Sequence, residues 1–551
     1  MPIKNRSVAM LLAMLLCILA LMGCAQRETA EEDWFVLRIG VGSAIRSLDP
    51  ASYTNSDAAS VFHALYENLM RMENDGEGGA QLAPGVAKEY KVSPEFDGTV
   101  TYRFTLRSGA RWSDGERVKA GDFVYAWRRL IDPATDSPNH AMLSMIKGYD
   151  EARETGDMSL LAVSAENDHT LKVTLSAPYP HFVDEICTAI PTMPLRRSVI
   201  SENPEFWAQS DGILGNGPFC FNSWVKGEYL QLRRNDAYYE RRLVSPDALR
   251  FVYVDSETAA YELYQEGRVD GLLSLPASRV EEYAEAYTPV GQRTSCCVIY
   301  NHMSDTFSDA HVRRAFDLAI DRTAAAAAQN DAAQGAAGFV PAGVPNGTED
   351  GAEFRSVGGE LCALDAEKYP ERCAAAVEQL EQAGYFDAQG FPSVEILCRD
   401  DDGSVPLAIA LQEMWSTHLG VNVSVTALPA ERYDARILAG TYDLALKQFD
   451  APYGDALLYL ERFSGLKAEN EMHYANEIFD LLIRVTHASE DPAARSAFLH
   501  DAEALLLEDA ALSPVSFGAR AELLRDGLQG VYHDARGVSY FTHVTSTASA
   551  G

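Results

Sequence analysis

Residues 102–133 constrain the fold of this chain more than any other stretch of its sequence. Residues 102–107 alternate apolar and polar side chains, which is the period of a strand with one buried face. Ser-Asp-Gly at residues 113–115 then predicts a tight turn. Asp122 follows as the predicted N-cap of a helix that ends before Pro133. The apolar side chains at helical spacing on this helix are Phe123, Ala126, Trp127 and Leu130.

This strand, turn and helix contain no nucleophile, base or ligand cluster, so they predict a fold and no chemistry. They closely resemble the signature region of the family 5 extracellular solute-binding proteins, the oligopeptide- and dipeptide-binding components of bacterial ABC importers. The matching motifs are Ala83-Pro84-Gly85-Val86-Ala87, Leu106-Arg107, Trp112-Ser113-Asp114-Gly115, Asp122-Phe123-Val124-Tyr125-Ala126-Trp127 and Asp132-Pro133. A second match, residues 307–322, begins a helix for which Asp309 is the predicted cap.

The resemblance implies an α/β fold, a two-lobed clamp of the type II periplasmic-binding-protein kind with an extra domain inserted in the first lobe. Helix and strand patterns that alternate between residues 374 and 446 independently favour an α/β lobe with a largely parallel sheet. Residues 293–300 are the candidate first hinge strand. The expected division of the chain is signal peptide 1–23, tether 24–34, lobe I 35–66, extra domain II 67–195, lobe I 196–295, lobe III 296–510 and lobe I 511–551.

The N-terminus predicts export and a lipid anchor. Lys4 and Arg6 form a short basic region, and residues 8–21 are an apolar run too short to span a membrane as a finished helix. Leu-Met-Gly-Cys at residues 21–24 resembles a bacterial lipoprotein signal, in which cleavage leaves Cys24 acylated; a plain N-terminal anchor helix is the alternative. We therefore expect the chain on the extracytoplasmic face of a bacterial membrane, at the cell surface or in the periplasm, held by lipid alone.

Composition and motifs argue against several other classes of protein. The formal net charge of −34 disfavours nucleic acid and anionic lipid as partners. There is no Gly-x-Ser-x-Gly, no His-Glu-x-x-His and no phosphate-binding loop, and the histidines are scattered. We expect no enzyme activity, no cofactor and no metal. Seven cysteines follow Cys24, an odd number; a Cys362–Cys373 bridge is conceivable, while buried inert thiols are expected for most.

The residues that hold the peptide main chain in oligopeptide-binding members are not retained here. By the resemblance, a cleft glutamate falls on Thr54, a tyrosine on Asn139 and an asparagine near Ser274. The aspartate that pairs with the peptide amino terminus falls on Pro452, and a tryptophan before it becomes Phe449. Ordinary free-peptide recognition is therefore in doubt.

Charges close to these positions could replace the lost ones in a shifted register, and the nearby candidates are Asp450, Asp455, Lys447 and Arg436. An exposed loop with solvated acids explains any single one of them equally well. Phe449 and Tyr453 are further candidate ligand-binding residues.

The expected function is a monomeric, lipid-tethered receptor that delivers a peptide or peptide-like solute to a cognate ABC permease and ATPase. A modified peptide, an amino-sugar-linked peptide or another polar oligomer fits equally well. A sensory or adhesion lipoprotein with the same fold is the alternative function, and an extracellular hydrolase is disfavoured because no catalytic constellation is present.

Overall fold

The structure is a computed structural model. It describes residues 34–547 except 43–44, 55–57, 205–206, 210–211, 255, 330–331, 349–350, 402, 466 and 468–469. The predicted signal peptide, Cys24 and nearly all of the predicted tether lie outside the described residues. Within them, no helix combines the length and the apolar character that a membrane crossing requires.

The described residues form strands and helices from Val36 to Ser546. The strands are β1 Val36–Val41, β2 Met70–Asn74, β3 Ala80–Pro84, β4 Ala87–Pro94, β5 Val100–Leu106, β6 Val163–Asn167, β7 Thr170–Leu175, β8 Phe219–Val225, β9 Tyr229–Arg234, β10 Ala248–Tyr253, β11 Gly271–Leu272, β12 Thr288–Tyr300, β13 Gln334–Gly335, β14 Val394–Arg399, β15 Val423–Leu428, β16 Leu444–Phe449, β17 Leu512–Leu524, β18 Leu528–Gln529, β19 Tyr532–His533, β20 Ser539–Tyr540 and β21 Thr545–Ser546. The helices are α1 Ala59–Leu65, α2 Ala120–Ile131, α3 Tyr149–Thr155, α4 Arg197–Glu202, α5 Glu257–Gln265, α6 Ala310–Leu318, α7 Arg322–Gln329, α8 Phe354–Gly358, α9 Tyr369–Gln382, α10 Ser404–Leu419, α11 Ala430–Leu438, α12 Ala456–Leu460, α13 Glu477–Ala488 and α14 Pro492–Glu508.

The strand and helix of the first motif, β5 and α2, form where the sequence predicts them, but the helix start differs. Lys119 holds the N-cap position of α2, so the prediction of Asp122 as the N-cap is wrong. The Asp122 carboxylate instead accepts hydrogen bonds from the Lys119 backbone N–H at 2.9 Å and from Trp112 Nε1 at 3.1 Å. An acid one turn into the helix thus satisfies the backbone N–H that precedes it.

The central sheet of the described residues has the order β15-β14-β16-β12-β17-β11-β1-β10-β9-β8. At one end β14 runs parallel to β15 and β16, and at the other β1 runs parallel to β10 and β11. The long antiparallel strands β12 and β17 lie between these two halves and belong to both. We call them the hinge strands, after the predicted hinge at residues 293–300, which β12 includes.

The register of the hinge strands breaks in the middle. Gly291 pairs with Ala519 and Ser295 pairs with Phe517, so three residues of β12 lie opposite Gly518 alone. Extra residues in one strand of a pair leave backbone groups unpaired and bend the strand locally. The two halves of the sheet are therefore joined by strands that are irregular at the crossing.

A separate sheet, β4-β5-β7-β6, packs against α2 in the part of the chain predicted as domain II. Trp127 on α2 is fully buried, and its Nε1 donates to the Thr192 carbonyl at 2.8 Å. The Trp127 ring meets the Phe182 ring edge-on, with centroids 6.3 Å apart. The numerical domain boundaries given above remain predictions.

The conceivable Cys362–Cys373 bridge is absent, because both residues carry free thiols. All seven described cysteines are buried. Burial raises the pKa of the Cys187 and Cys297 thiols well above the ordinary value. Buried thiols that stay protonated are poor nucleophiles and metal ligands.

Two enclosed histidines should make the fold sensitive to mild acid. Burial lowers the pKa of His63 to about 3 and that of His302 to about 4, so both rings stay neutral in the folded chain. The unfolded chain binds the extra protons below pH 6.5, so stability is complete above that pH and is lost as pH falls. We expect the free energy of unfolding to fall by about 1.4 kcal/mol per pH unit for each histidine.

Urea titrations between pH 7 and pH 5 measure this dependence. His302→Gln keeps a donor for the Ala511 carbonyl, which His302 Nε2 meets at 3.0 Å, and should make the dependence shallower. An unchanged slope in this variant would contradict the assignment.

Candidate ligand cleft

A cavity of about 500 Å³ lies against the hinge strands, with walls from both halves of the central sheet. Its lining residues are Gly42, Ser256, Glu257, Ser274, Leu275, Ala277 and Val280 from the first half, Gln292, Thr294, Cys296 and Gly518–Ala521 from the hinge strands, and Gln329, Asp401, Gly403 and Gln448 from the second half. Ligand pockets commonly have about 300–1,000 Å³. We call this cavity the cleft.

Two other cavities are less suited to a solute that bridges two lobes. One, beside Glu67, has about 50 Å³, which is room for only a few waters. The other, about 520 Å³, is a groove along α2 and is lined by residues 121–197 alone.

The floor of the cleft is the irregular part of the hinge strands. Gln292, Thr294 and Cys296 line it, because alternate residues of a strand point to the same face. Gly518 lies opposite them, and a Cβ atom added to it would stand 3.2 Å from the Thr294 Cβ. Gly518 therefore keeps the floor of the cleft open at a point where any side chain would reduce the space for a solute.

Arg520, at the floor, is held in place by protein groups. Its Nη2 donates to the Gly537 carbonyl at 2.8 Å and to Ser539 Oγ at 2.6 Å. Glu522 Oε2 lies 3.5 Å from Arg520 Nη2 and offsets its charge. This cation is therefore part of the fixed floor.

The second-half wall begins where β14 ends. Asp401 lies in the loop between β14 and α10, and its Oδ1 accepts from the Ser404 backbone N–H at 2.7 Å. Gln329, the last residue of α7, is 8% exposed and accepts a hydrogen bond from Ser516 Oγ. Gln448 of β16 completes the polar part of this wall.

The first-half wall carries the start of α5. Ser256 is its N-cap, and Ser256 Oγ accepts from the Ala259 backbone N–H at 3.2 Å. Glu257 is in the first turn, where a negative charge suits the helix dipole. Ser274 and Leu275 lie beside them. The cleft thus places hydroxyl, amide and carboxylate groups around one space.

Of the predicted site residues, Ser274 lines the cleft, whereas Thr54 and Asn139 lie elsewhere. Asn139 Nδ2 donates to the Tyr53 carbonyl at 2.7 Å, so the structure brings Asn139 close to the exposed Thr54. Neither of the two is among the residues that line the cleft. Their ligand roles remain predictions.

Arg436, Lys447 and Phe449 are held by partners on the second half, and Tyr453 packs against Tyr179 of the predicted domain II. Arg436 Nη2 donates to Glu395 Oε2 at 2.7 Å, and Lys447 pairs with Glu471. Phe449 is buried against the Phe339 and Phe463 rings, at centroid distances of 5.4 and 5.5 Å. Tyr453 is also buried, with its ring 6.3 Å from Tyr179.

The two predicted acids, Asp455 and Asp450, differ in burial and in hydrogen-bond partners. Asp455 is 1% exposed and accepts from Arg495 Nη2 at 2.7 Å and from the Tyr179 hydroxyl at 2.9 Å. Burial opposes its charge, but Arg495, His181 and the hydrogen bond from Leu457 together outweigh burial and hold the pKa of Asp455 below its usual range. Asp450 is exposed, and its carbonyl accepts from Arg462 Nη2 at 2.8 Å. Neither lines the cleft, and both ligand roles remain predictions.

Sequence reasoning missed Asp401, Gln329 and Gln448 as site residues. The run at residues 400–403 reads as a turn in the sequence. Its position at the end of a parallel strand was the available signal, because ligands bind at the carboxyl ends of such strands. No group of three or more His, Cys, Asp or Glu within the described part of the chain could hold a metal ion.

Known proteins share the sequence pattern and the fold of this chain. The family described as bacterial extracellular solute-binding proteins, family 5 Middle, matches residues 81–471. The periplasmic oligopeptide-binding protein OppA of Escherichia coli is 30% identical over 500 residues, which cover 89% of this chain and 88% of OppA. The probable deoxycholate-binding periplasmic protein YgiS of the same organism is 30% identical over 495 residues, 88% of each chain.

A solved structure shows the same architecture. The Escherichia coli murein tripeptide binding protein MppA superimposes with a TM-score of 0.73 at 24% identity, over 93% of this chain and 99% of MppA. The fold is therefore the two-lobed, type II periplasmic-binding-protein-like α/β clamp that the sequence predicts. The family match extends over more than half of the chain, and this protein belongs to the bacterial extracellular solute-binding proteins of family 5.

Proposed function

We propose that this protein captures a peptide or peptide-like solute in the cleft and delivers it to the permease and ATPase of an ABC importer. As a member of a solute-binding family it is a binding protein and not an enzyme. The observation that supports the capture of a solute is a cavity of about 500 Å³ whose walls come from both halves of the sheet and whose floor is the hinge. Closure of such walls supplies contacts that only a bound solute can complete.

The side chains of the cleft favour a peptide-like solute. Gln292, Gln329 and Gln448 each carry an amide, which offers one carbonyl acceptor and two N–H donors. A peptide main chain offers the same two kinds of group in alternation. Polar groups of a solute that leave water need such partners.

An open strand edge adds to this argument. Among the described residues, β14 pairs with β16 only at Leu444 and Ala445, so the rest of β16 has strand β12 on one side alone. Gln448 lies on this part of β16 and lines the cleft. An extended peptide can add to an exposed edge as a further strand.

A non-peptide solute is the second candidate, and the name of YgiS shows why it is considered. That relative is described as probably binding deoxycholate, a molecule with a large apolar surface. The lining of this cleft is rich in amides and hydroxyls, which favours a polar oligomer over such a molecule.

Mass spectrometry of whatever is released from the purified protein on mild unfolding would identify the solute. A peptide at about 100 times its dissociation constant should stabilise the fold by about 2.7 kcal/mol. A peptide library that produces no thermal shift, together with release of a non-peptide solute, would overturn the peptide assignment and leave the second candidate. A permease and an ATPase encoded beside the gene would separate transport from a sensory or adhesive role.

Filling the cleft should weaken solute binding without unfolding the protein. Ser274 is half-buried on the cleft wall, so the indole of Ser274→Trp would occupy solute space. We expect solute affinity to fall at least about tenfold, since overlap with a bulky side chain excludes close contact. Ser278→Trp, at an exposed position outside the lining, is the matched control. Isothermal titration measures the affinity, and equal loss in both variants would contradict this site.

Lipid attachment at Cys24 and a monomeric state belong to the same proposal. Cys24→Ala should abolish labelling by radioactive fatty acid and release the protein from the membrane fraction. A variant that stays membrane-bound would favour the N-terminal anchor helix.

A further inference from the structure

The outer side of α2 borders a groove of about 520 Å³ that is separate from the cleft. The inner side of this helix packs into the core through Phe123 and Trp127, which are fully buried. Residues at helical spacing on the outer side line the groove, and the facing walls come from the turn before β6, from β6 and from the start of α4. We call this space the α2 groove.

The charges along the α2 groove run against the composition of the chain. The whole sequence has 46 Lys and Arg against 80 Asp and Glu. The described lining of the groove has three arginines, Arg128, Arg129 and Arg197, against the single acid Asp132. Asp132 also accepts a hydrogen bond from the Ala134 backbone N–H at 2.9 Å. The groove therefore concentrates cations on an acidic protein.

One of the three arginines is already neutralised. Arg129 Nη1 donates to Asp49 Oδ1 at 3.0 Å, and Arg129 Nη2 donates to Asp49 Oδ2 at 2.6 Å. Asp49 is 6% exposed, so this two-bond pair is part of the folded core. Arg129 therefore belongs to the wall and has little attraction left for a ligand.

Arg128, in contrast, has an unused donor. Its Nε is buried and has no hydrogen-bond partner among the described residues. Its Nη2 makes long bonds to the Val163 carbonyl at 3.2 Å and to the Ser159 carbonyl at 3.5 Å. A buried N–H without an acceptor costs free energy, which an acceptor in the groove would recover.

The acid closest to Arg128 is bonded elsewhere. The Asp157 carboxylate accepts from the Ser159 hydroxyl at 2.6 Å and from the Ser159 backbone N–H at 2.9 Å. These two bonds are the main reason that the pKa of Asp157 lies below its ordinary value, and the charge of Arg128 adds to them. Asp157 and Arg128 do not form an ion pair, so the guanidinium stays open to another anion.

Arg197 supplies a second open guanidinium on the facing wall. It is exposed, and it forms no ion pair with a described residue, whereas its neighbour Arg196 pairs with Asp114. Tyr125 lies between the two sides of the groove: burial raises the pKa of its hydroxyl, and the charges of Arg129 and Arg197 oppose that rise. Arg197 is therefore near the Tyr125 hydroxyl, at the same groove as Arg128.

Apolar groups complete the lining next to these donors. Val124 and Met158 are half-buried side chains that pack against the core, and Ala165 is an exposed methyl on β6. A pocket of about 300–1,000 Å³ with apolar walls and a few polar groups is typical of small-molecule sites. The α2 groove has this size and this combination of groups.

We propose that the α2 groove binds a small carboxylate with an apolar body. The carboxylate accepts from Arg128 and Arg197, since a guanidinium matches a carboxylate with parallel N–H donors, and the body packs against Val124 and Met158. A doubly charged phosphate fits less well, because Asp132 and Asp157 lie nearby and repel added negative charge. This site is independent of whatever solute the cleft takes.

The test titrates the full protein with three probes: phenylbutyrate, its uncharged amide phenylbutyramide, and inorganic phosphate. Isothermal titration measures each affinity. We expect phenylbutyrate to bind, and the amide and phosphate to bind at least about tenfold more weakly, since one lacks the charge and the other lacks the apolar body. Equal affinity for phenylbutyrate and its amide, or no binding of phenylbutyrate, would overturn the proposal.

Matched variants locate the bound probe. Arg197→Gln should weaken phenylbutyrate binding about tenfold, and Arg242→Gln, exposed and outside the lining, should not. Ala165→Trp should block the groove, whereas Ser164→Trp, on the other face of the same strand, should leave it open.

A variant of the cleft separates this proposal from the proposed function. Ser274→Trp should leave phenylbutyrate binding unchanged, because Ser274 lines the cleft and not the α2 groove. Loss of phenylbutyrate binding in Ser274→Trp, with full binding in Ala165→Trp, would place the probe in the cleft and overturn the groove site. Solute capture by the cleft would stand in either case.

Discussion

Arg293→Ala should destabilise the protein by about 3–5 kcal/mol, because it would leave a buried carboxylate without its cation. Arg293 Nη1 donates to both carboxylate oxygens of Glu185, at 2.8 and 2.9 Å, and the two side chains are 11% and 5% exposed. Glu185 Oε2 also accepts from the Gly454 backbone N–H at 2.9 Å. One ion pair thus joins the segment before α4, the first hinge strand and the loop after β16.

The pH dependence of this loss follows from the same pair. Burial opposes the charge of Glu185, but Arg293, Arg536 and the hydrogen bond from Gly454 together outweigh burial and hold the pKa of Glu185 below its ordinary value. The pair therefore contributes stability above the ordinary pKa of a glutamate, and that contribution is lost as pH falls. In Arg293→Ala the carboxyl can become neutral instead, so the deficit relative to the unmodified protein should narrow below about pH 5.

Chemical denaturation at pH 7 and pH 5 measures both effects. Arg103→Ala, which breaks the exposed pair with Glu166, is the control and should have little effect. Glu185→Leu combined with Arg293→Met should recover much of the loss, since it removes both charges together. If Arg293→Ala lowered the free energy of unfolding no more than Arg103→Ala does, the Arg293–Glu185 pair would not stabilise the fold as we infer.

Glu503→Ala is expected to destabilise the second half of the sheet by about 3–5 kcal/mol, since it removes one partner of a buried ion pair. Glu503 is 0% exposed, and its Oε1 accepts from the backbone N–H groups of Phe339 and Val340, at 2.8 Å each. Its Oε2 accepts from Arg355, which is itself buried. The substitution leaves the two backbone donors and Arg355 Nη2 without their acceptor, while Arg355 Nη1 keeps the Ala337 carbonyl at 3.4 Å.

Thermal unfolding and hydrogen exchange would show this effect and its location. We expect amide protection to fall first around residues 337–358, because they lose their acceptor. Glu508→Ala, on the same helix and bonded only through its backbone carbonyl to Arg314, is the control. Global stability equal to that of the control would contradict the role of Glu503.

The sequence predicted elements whose signals are local. Alternation at residues 102–107 and helical spacing after Asp122 predicted β5 and α2, and both form. Asp309 caps α6 as expected, and its Oδ1 accepts from the His311 backbone N–H at 2.8 Å. These features depend on side chains within one or two turns of each other, so the order of residues is sufficient to specify them. The resemblance to a known family predicted, in addition to these local elements, the two-lobed architecture.

The position and lining of the cleft could not be predicted from local sequence patterns, because they result from contacts between distant segments. Its walls join the start of α5, the break in the hinge strands, the end of α7 and the loop after β14, which are far apart in the sequence. Whether an acid lines the cleft or pairs with another side chain depends on which segments meet there: Asp455 meets Arg495, whereas Asp401, bonded to Ser404, lines the cleft. The sequence by itself therefore determined the elements and the family, and only the tertiary structure decided which polar groups remain free for a solute.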